Sequence, residues 1–325
     1  MRPLAHTTAL LGATAALALL TACSSGGEDT ATDSAPPATA EEQTPEEPRG
    51  AITEAQALEV ITAYSQTNNQ AYRDLDASLL EKIEGGSLLQ RSLADLEQYL
   101  GRPEADREPI EDWEYINPEF FIPAGETWWM AQADEAPDAG DPRLLTFEQG
   151  EGESWLLVSV VPLKEKLPAI AFDEHGLAQA APADDPAGEL LPQDAAAAYE
   201  DLWETGGEGP GAPLTTTPGG QNILERRSTE DPLLLARYTA TPPEHEHAWA
   251  LRTVDGGTVV VATVAHSETL TAVSGDVIPG ESSAHYNSTP RNPLITHHTG
   301  EIAVSIPTAA DPQVLGDRWH LIGAE

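Results

Sequence analysis

The chain has little cysteine and little lysine, and each shortage narrows what the protein can be. One of its 325 residues is a cysteine, Cys23, so no disulfide can form within one chain. Lysine occurs only at positions 82, 164 and 166, and Lys plus Arg total 16 against 54 Asp plus Glu, which gives a formal net charge of −38. Such a surface repels phosphate groups, so we expect no nucleic-acid partner and no attachment to anionic lipid through a basic patch.

Long apolar runs are also scarce. After residue 22 no segment approaches the roughly 20 apolar residues that a membrane-spanning helix needs. Before it, Arg2 is the one formally charged residue, residues 7–20 are rich in Ala and Leu, and small residues follow at Thr21 and Ala22. This layout predicts a secretory signal peptide at 1–22, with an apolar run too short for a comfortable transmembrane helix.

The segment Leu20-Thr21-Ala22-Cys23 ends the apolar run and resembles the lipobox of bacterial lipoproteins. The resemblance implies that the Cys23 thiol takes a diacylglycerol, that the peptide is cut before it, and that the new amino terminus is acylated, for example with palmitate. One acyl chain binds a membrane only marginally, whereas two or three hold firmly at about 0.8 kcal/mol per buried CH₂. The alternative is an ordinary signal peptide with an accidental cysteine, which fits the two flanks less well. We therefore expect a protein anchored to the cell membrane through Cys23, on its extracytoplasmic side.

Residues 23–50 are predicted to be the lipidated cysteine followed by a disordered acidic linker. Positions 24–50 hold no aromatic or branched aliphatic residue, and they carry seven acidic residues against Arg49 alone. Low hydrophobicity with net charge predicts disorder. A flexible chain of this length spans roughly 30 Å, which suits a tether.

Helical signals open the next part of the chain. Thr53-x-x-Gln56 predicts a capping box, and apolar residues at spacings of three and four run from Leu58 to Leu75. Asn68 falls on this otherwise apolar face; we favour a bond to a neighbouring backbone group over a place in a cavity wall. A second capping box is predicted at Ser87-x-x-Gln90, before a helix that buries Leu89, Leu93, Leu96 and Leu100.

Beyond Pro103 the pattern changes to strands, predicted at 113–122, 127–133, 143–148 and 154–162. Trp128 and Trp129 are neighbours in one strand, so one ring should lie in the core and the other on a half-covered surface. A helix at 195–203 opens the second half, an irregular stretch follows at 206–220, and strands are predicted at 233–241, 248–254, 258–266, 270–274, 302–306 and 319–322.

These patterns predict an α+β fold with two domains, at 51–180 and 190–325, each with helices on a curved antiparallel sheet. Residues 167–180 are expected to be a tail of the first domain and 181–188 a short linker. The predicted cores include Leu58 and Ile61 in the first domain, and Leu235 and Trp249 in the second.

Five segments together resemble a family of actinobacterial membrane lipoproteins that has no assigned biochemical function. They are Ile52 to Gln56, Asn68-Asn69, Glu84 to Ser87, Arg143 to Phe147 and Asp255 to Gly257. The order of helix and then sheet in each half is also similar to cystatin-like and NTF2-like domains. That second resemblance implies a sheet that often encloses a pocket.

Candidate chemical sites are few. His245-Glu246-His247 has alternate imidazoles that a strand would point the same way, but no third ligand has a defined spacing, so we favour a solvated acidic loop over a metal site. Asp173-Glu174-His175 has the residues of a dyad, but neighbours in an extended chain point apart. The nucleophile motifs Gly-x-Ser-x-Gly, Ser-x-x-Lys and His-Glu-x-x-His are missing from the sequence.

We therefore predict no catalytic residue, no cofactor and no metal ion. The leading hypothesis is a non-enzymatic binding or scaffold module of the cell envelope, with an envelope protein or a small ligand as its partner. The alternative is a small-ligand receptor or an enzyme with a pocket inside an NTF2-like sheet. A deep pocket with converging polar groups favours the alternative, and flat sheets that share an apolar surface favour a scaffold.

Overall fold

The computed structural model describes residues 49–325 apart from 138–139, 151, 153, 187 and 229–232. The predicted signal peptide, Cys23 and nearly all of the predicted linker lie outside the described residues. The last two linker residues are paired: Gly50 forms a bridge with Ala124, and the Arg49 carbonyl accepts a hydrogen bond from the Gly125 N–H at 3.2 Å. These two residues belong to the folded body rather than to the linker.

The described chain is a mixed α+β fold, as predicted, with two antiparallel sheets and six α-helices. The helices are α1 Glu54–Asp74, α2 Ala77–Leu80, α3 Gly86–Gly101, α4 Ala195–Glu204, α5 Pro218–Arg227 and α6 Glu281–Tyr286. The strands are β1 Glu114–Phe121, β2 Trp128–Ala136, β3 Arg143–Gln149, β4 Trp155–Pro162, β5 Leu234–Ala240, β6 Ala248–Arg252, β7 Thr258–Ala272, β8 Leu294–Ile306 and β9 Gln313–Ala324.

The two sheets differ in how their strands are connected. The first is a meander, β1-β2-β3-β4, and the second has the order β5-β7-β8-β9. Strand β7 is long enough to pair with β6 through its first residues and with β5 through its last ones. The separate strands predicted at 258–266 and 270–274 are therefore one strand, and that part of the prediction was wrong.

Side chains alternate along a strand, so each sheet presents apolar side chains to both of its faces. The exception is β5, which is exposed along most of its length. The two sheets pack against each other through one apolar cluster, while α1 and α3 cover the outer face of the first sheet and α4 and α5 that of the second. Trp128 lies in the cluster between the sheets and Trp129 under the helices, at 8% and 0% exposure. The prediction that one of the two rings is half-covered was wrong, since neither face of this sheet meets solvent there.

The start of α1 is predicted correctly and the start of α3 is not. Thr53 and Gln56 form the capping box through reciprocal side-chain and backbone bonds. Helix α3 begins at Gly86 with Gly85 as its N-cap and no side-chain cap, so Ser87 lies inside the first turn rather than at the cap. Its hydroxyl donates to Glu301, 214 positions along the chain, at 3.0 Å. The buried face of α3 includes Ser87, Leu88, Arg91 and Ser92, whereas Leu100 is exposed.

Two residues of the predicted cores lie at the surface. Leu58 is 47% exposed on α1, and Leu235 is 67% exposed on β5, which pairs along one side only. Leu58 lies outside the packed face of α1, whose buried residues include Ala57 and Ile61. On β5 the consecutive residues 235–237 are all exposed, so neither face of this edge strand is covered there. Ile61 and Trp249 are buried as predicted.

The chain between β4 and α4 joins the two sheets. Ala171 and Ala181 donate backbone hydrogen bonds to Arg252 and Ala250 of β6, both at 2.9 Å. Leu315 of β9 accepts from the backbone of Lys164 at 2.8 Å. The predicted tail therefore runs beside the second sheet, and the predicted linker at 181–188 is hydrogen-bonded rather than free.

Candidate functional site

A polar cavity of about 170 Å³ lies where α1 and α3 meet the first sheet and the strand β9. Its wall contains ionisable side chains from four separate segments: Glu84, Arg91, Glu135 and Arg318. The volume is below the 300–1,000 Å³ of pockets that hold drug-sized ligands. The cavity therefore suits a small polar molecule, and we take it as the candidate site.

A larger groove of about 500 Å³ adjoins the cavity and shares Trp113 and Tyr115 with it. Its other side chains include the uncharged Thr62, Gln66 and Asn69 and two exposed acids, at positions 112 and 114. Asn69 holds the backbone of Trp113 through a 2.7 Å bond from its side-chain amide to the Trp113 carbonyl. The groove is roomier, but buried charges converge only on the cavity, and buried charge is the stronger indication of function.

Glu84 is the buried acid of the cavity. It follows α2 and is 1% exposed; its Oε1 accepts hydrogen bonds from the Tyr64 hydroxyl at 2.7 Å and from the Asn68 amide at 3.4 Å. Within the described residues its Oε2 has no hydrogen-bond partner of good geometry. Burial raises the pKa of Glu84 to about 7, although the bonds from Tyr64 and Ser92 act to lower it. Its charge therefore changes near neutral pH.

Arg91 and Glu301 form a buried ion pair that ties α3 to β8. The Arg91 Nη1 lies 3.3 Å from Glu301 Oε2, and the side chains are 5% and 0% exposed. Burial lowers the pKa of Arg91, but Glu301 and then Glu84 raise it by more, so the net shift is upward. Burial also raises the pKa of Glu301, against the opposing effect of Arg91. Each member needs the other, because a lone buried charge is costly.

Arg318 is the second guanidinium of the cavity and lies opposite Glu301 in the pairing of β8 with β9. Its side chain forms no hydrogen bond or ion pair with the part of the chain that the structure describes, and the residue is exposed. The positive charge of Arg91 is the main cause that lowers the pKa of Arg318, and burial adds to it. Solvent thus reaches a guanidinium whose surroundings are mostly protein.

The acids at the rim of the cavity already have partners. Asp95 lies 3.3 Å from the Nδ1 of His320, and Glu135 lies 3.1 Å from the Nε of Arg143. Burial lowers the pKa of His320, while Asp95 acts to raise it. Arg318 is therefore the cation of this wall that lacks a direct counter-charge among the described residues.

A second ionisable cluster lies under α4, on the outer face of the second sheet. Glu200 Oε2 is 3.2 Å from the His266 Nδ1, and both side chains are buried. Burial raises the pKa of Glu200 to about 9 and lowers the pKa of His266 to about 4. The rings of Trp319, His298 and Trp203 surround His266, with centroids at 4.2, 5.3 and 5.4 Å. Such a closed pair favours one shared proton and no net charge.

The two histidines of the predicted metal candidate are placed in different surroundings. His247 stacks on Trp249 with ring centroids 5.0 Å apart, and the His245 carbonyl accepts a hydrogen bond from the Thr263 hydroxyl at 2.7 Å. Among the residues that the structure describes, no three His, Cys, Asp or Glu side chains are positioned to hold a metal ion. The motif therefore sits in a loop fixed by Thr263.

The segment Asp173-Glu174-His175 forms a turn. Asp173 Oδ1 accepts the backbone N–H groups of His175 and Leu177, both at 2.9 Å. These backbone bonds, led by that of Leu177, hold the pKa of Asp173 below its usual value. The acid is engaged by its own loop rather than by an imidazole.

Sequence reasoning pointed to one residue of the cavity, Asn68, and preferred the wrong alternative for it. The Asn68 amide bonds the side chain of Glu84 and lines the cavity. The sequence did not indicate Glu84, Arg91 or Arg318. Acidic residues are too abundant in this chain to stand out, and the two arginines are 227 positions apart. The one available signal was Arg91, which lies three positions after Leu88 on the same side of α3.

The fold and the cavity define an α+β body of two antiparallel sheets packed between helices. The chain belongs to the family described as domain of unknown function (DUF8094), whose model matches residues 48–325. The prediction of an actinobacterial lipoprotein family of unassigned function is thereby confirmed, because similar proteins from Streptomyces are named uncharacterized lipoproteins.

The chain is 32% identical over 325 residues to an uncharacterized lipoprotein of Streptomyces coelicolor, with 94% of this chain and 90% of the relative covered. It is 29% identical over 263 residues to a second one from that organism, covering 78% and 76%. An uncharacterized lipoprotein of Streptomyces avermitilis is 28% identical over 222 residues, covering 66% and 65%. Within the described residues no helix is long and apolar enough to cross a bilayer.

Proposed function

We propose that the protein is an exported lipoprotein of the cell envelope, anchored to the cell membrane through lipidated Cys23 and facing the extracytoplasmic side. The observation that carries the proposal is the sequence Leu20 to Cys23 at the end of an uncharged apolar run. Relatives that are named lipoproteins support it. In this proposal residues 1–22 are removed and residues 24–48 serve as the tether.

Replacement of the cysteine tests the anchor. Cys23→Ser should abolish labelling with radioactive palmitate and move the protein from the membrane fraction to the medium, or leave it as an uncleaved precursor. Ser24→Ala is the matched control, since it changes the next position and leaves the thiol. Palmitate labelling of the Cys23→Ser protein at the wild-type level would contradict the proposal.

The folded body acts, in this proposal, as a non-enzymatic binding module. The apolar cluster between the sheets supports a rigid body, and it includes Trp128 and Val161 from the first sheet with Trp249 and Val259 from the second. The cavity beside α3 supports binding rather than a purely mechanical scaffold, because two of its ionisable groups, Arg91 and Glu84, are held in place by protein bonds before any ligand arrives.

A small-ligand receptor is the second candidate. The observation that favours it is the cavity with Arg318 at its wall. The cavity lies between helices and the outer face of the first sheet, whereas the NTF2-like resemblance implied a pocket inside a sheet. A screen of small polar metabolites by thermal shift on the detergent-solubilised lipoprotein distinguishes the candidates, since a receptor is stabilised by its small ligand and a module that binds an envelope protein is not.

We also propose that the two sheets mark two domains, at 51–180 and 190–325. Each has its own helix-facing apolar cluster, while the cluster between the sheets is shared. Expressed separately, each half should melt cooperatively, and the two should associate when mixed because each exposes half of the shared cluster. A half that is unfolded alone would mean one domain with a single core.

A further inference from the structure

Two guanidinium groups face one small cavity in a protein whose formal charge is −38. They come from different halves of the chain, Arg91 from α3 and Arg318 from β9. They are close enough that the charge of Arg91 is the main influence on the pKa of Arg318. Two positive charges close together repel each other, and each disfavours the charged form of the other unless an anion lies near both.

The protein itself supplies only part of that anion. Glu301 neutralises Arg91 through one nitrogen, Nη1, at 3.3 Å. The other nitrogens of Arg91 have no hydrogen-bond partner among the described residues, although this side chain is 5% exposed. Arg318 has no bonded partner in the same part of the chain, so donors from two guanidinium groups remain for a ligand.

The charge balance decides between classes of anion. Arg91 is balanced by Glu301, and Glu135 by Arg143 at the rim. Asp95 faces His320, but burial lowers the pKa of this imidazole, so it is neutral at neutral pH and does not cancel the acid. Arg318 is thus the cation without a bonded counter-charge among the described residues, and the wall has little positive charge in excess. A second negative charge on the ligand would face the buried carboxyl of Glu84, which Tyr64 and Asn68 hold on the same wall. A group with one negative charge therefore fits better than a doubly charged phosphate.

We propose that the cavity binds a small molecule through one carboxylate group, held by the Arg318 guanidinium with Arg91 behind it. A planar carboxylate matches the fork of N–H groups on an arginine through two parallel hydrogen bonds. The volume of about 170 Å³ limits the ligand to a small metabolite rather than a peptide. The inference rests on the proposed binding role and names the ligand class of that site.

The test uses the full-length lipoprotein in detergent with propionate as the probe and the Arg318 Nε–H resonance in NMR as the readout. Propionate should shift this resonance saturably, and propionamide, of similar shape and without charge, should not. Inorganic phosphate should bind more weakly than propionate. Arg318→Gln should weaken propionate binding by about tenfold or more, because a hydrogen bond to a charged group is lost.

Arg237→Gln is the matched control. Arg237 is also an exposed arginine on a strand, β5, with no hydrogen bond or ion pair to the described residues, and it lies far along the chain from the cavity wall. The affinity for propionate should be unchanged in this variant. Arg318→Lys keeps the charge without the fork, so its affinity should fall between those of the wild type and Arg318→Gln.

Three outcomes would overturn the inference: no saturable shift with propionate up to the millimolar range, equal binding of propionamide, or an equal loss of affinity in Arg237→Gln. None of these would affect the palmitate labelling of Cys23. Failure of the ligand class is therefore distinguishable from failure of the anchor.

Discussion

The two buried ionisable sites of the molecule manage charge in opposite ways. In the cavity, Arg91 and Glu301 are both charged and paired, and Arg318 adds a further charge that solvent reaches. Under α4, burial raises the pKa of Glu200 and lowers that of His266, which favours a neutral pair, and aromatic rings enclose the histidine. The first site keeps charges available at the expense of desolvation, and the second avoids charge altogether.

The difference follows from what surrounds each site. The cavity opens between helices and strands, and hydroxyl and amide groups such as those of Tyr64 and Asn68 point into it. The Glu200 site has tryptophan and histidine rings on its sides, and Glu200 Oε1 has no hydrogen-bond partner among the described residues. Aromatic walls favour a neutral pair, whereas a polar cavity sustains charge. Of the two sites, the polar cavity is the one in which a charged group can bind a ligand.

Breaking the charged pair should have the largest effect on stability. Glu301→Ala leaves Arg91 buried without its counter-charge and removes the acceptor of the Ser87 hydroxyl. We expect the free energy of unfolding to fall by about 3–5 kcal/mol in urea denaturation followed by circular dichroism.

The control for that change is an ion pair at the surface. Arg73 and Asp112 form one with side chains 51% and 59% exposed. Because solvent screens such a pair, Asp112→Ala should change the free energy of unfolding by less than about 1 kcal/mol. Equal losses in the two variants would mean that the buried pair has no special role in holding α3 to β8.

The neutral pair should show itself in the pH dependence of stability. The pKa of Glu200 is raised from 4.5 to about 9, so the folded state holds a proton that the unfolded chain releases as pH rises. The pKa of His266 is lowered from 6.5 to about 4, which has the opposite sign. The two effects cancel between pH 4.5 and 6.5 and leave a net loss of stability from pH 6.5 to about 9.

Glu200→Gln isolates this contribution, because the amide cannot ionise. Relative to the variant, the wild type should lose about 3 kcal/mol of unfolding free energy between pH 6.5 and pH 9. Urea denaturation at several pH values measures it, and Glu208→Gln, at an exposed acid, should behave like the wild type. Parallel pH profiles for the wild type and Glu200→Gln would show that this pair does not hold a shared proton.

The sequence predicted those features that depend on neighbouring residues. The capping box of α1 and the helix at 195–203 need only local hydrogen bonds and periodicity, and both were found. The second capping box failed because α3 begins at Gly86, which leaves Ser87 inside the helix, where its hydroxyl bonds Glu301. Helix α5 was missed because it begins with Pro218-Gly219-Gly220, a run typical of loops, although the Thr217 side chain caps it.

The cavity could not be predicted in the same way. Its groups are joined only when α3 crosses from the first sheet to β8 and β9, so no local pattern brings Glu84, Arg91 and Arg318 together. Close approach of the sheets is also a long-range effect: a Cβ at Gly316 would lie 2.0 Å from the carbonyl oxygen of Pro162. Periodicity predicted which class of fold forms, and the tertiary contacts decided which polar residues it encloses.

The smallest effect concerns the hydrogen bond that supports the buried acid of the cavity. Tyr64 donates to Glu84 Oε1 at 2.7 Å, and this bond acts to lower the pKa of Glu84, which burial raises to about 7. Burial raises the pKa of Tyr64 well above its usual value, so its hydroxyl stays protonated from pH 5 to above neutral pH. Tyr64→Phe should therefore raise the pKa of Glu84 further.

The folded-state pKa of Glu84 is above its unfolded value of 4.5, so stability is lost as pH rises from 4.5 through about 7. In Tyr64→Phe this loss should extend to higher pH, with an additional deficit of about 1 kcal/mol above neutral pH and little difference near pH 5. NMR titration of the Glu84 carboxyl carbon and urea denaturation at both pH values measure the two effects.

Tyr115→Phe is the control, since the Tyr115 hydroxyl lines the same cavity without a hydrogen bond to the described residues. A deficit of equal size at pH 5 and above neutral pH would mean that Tyr64 stabilises the fold by packing and that Glu84 does not ionise there.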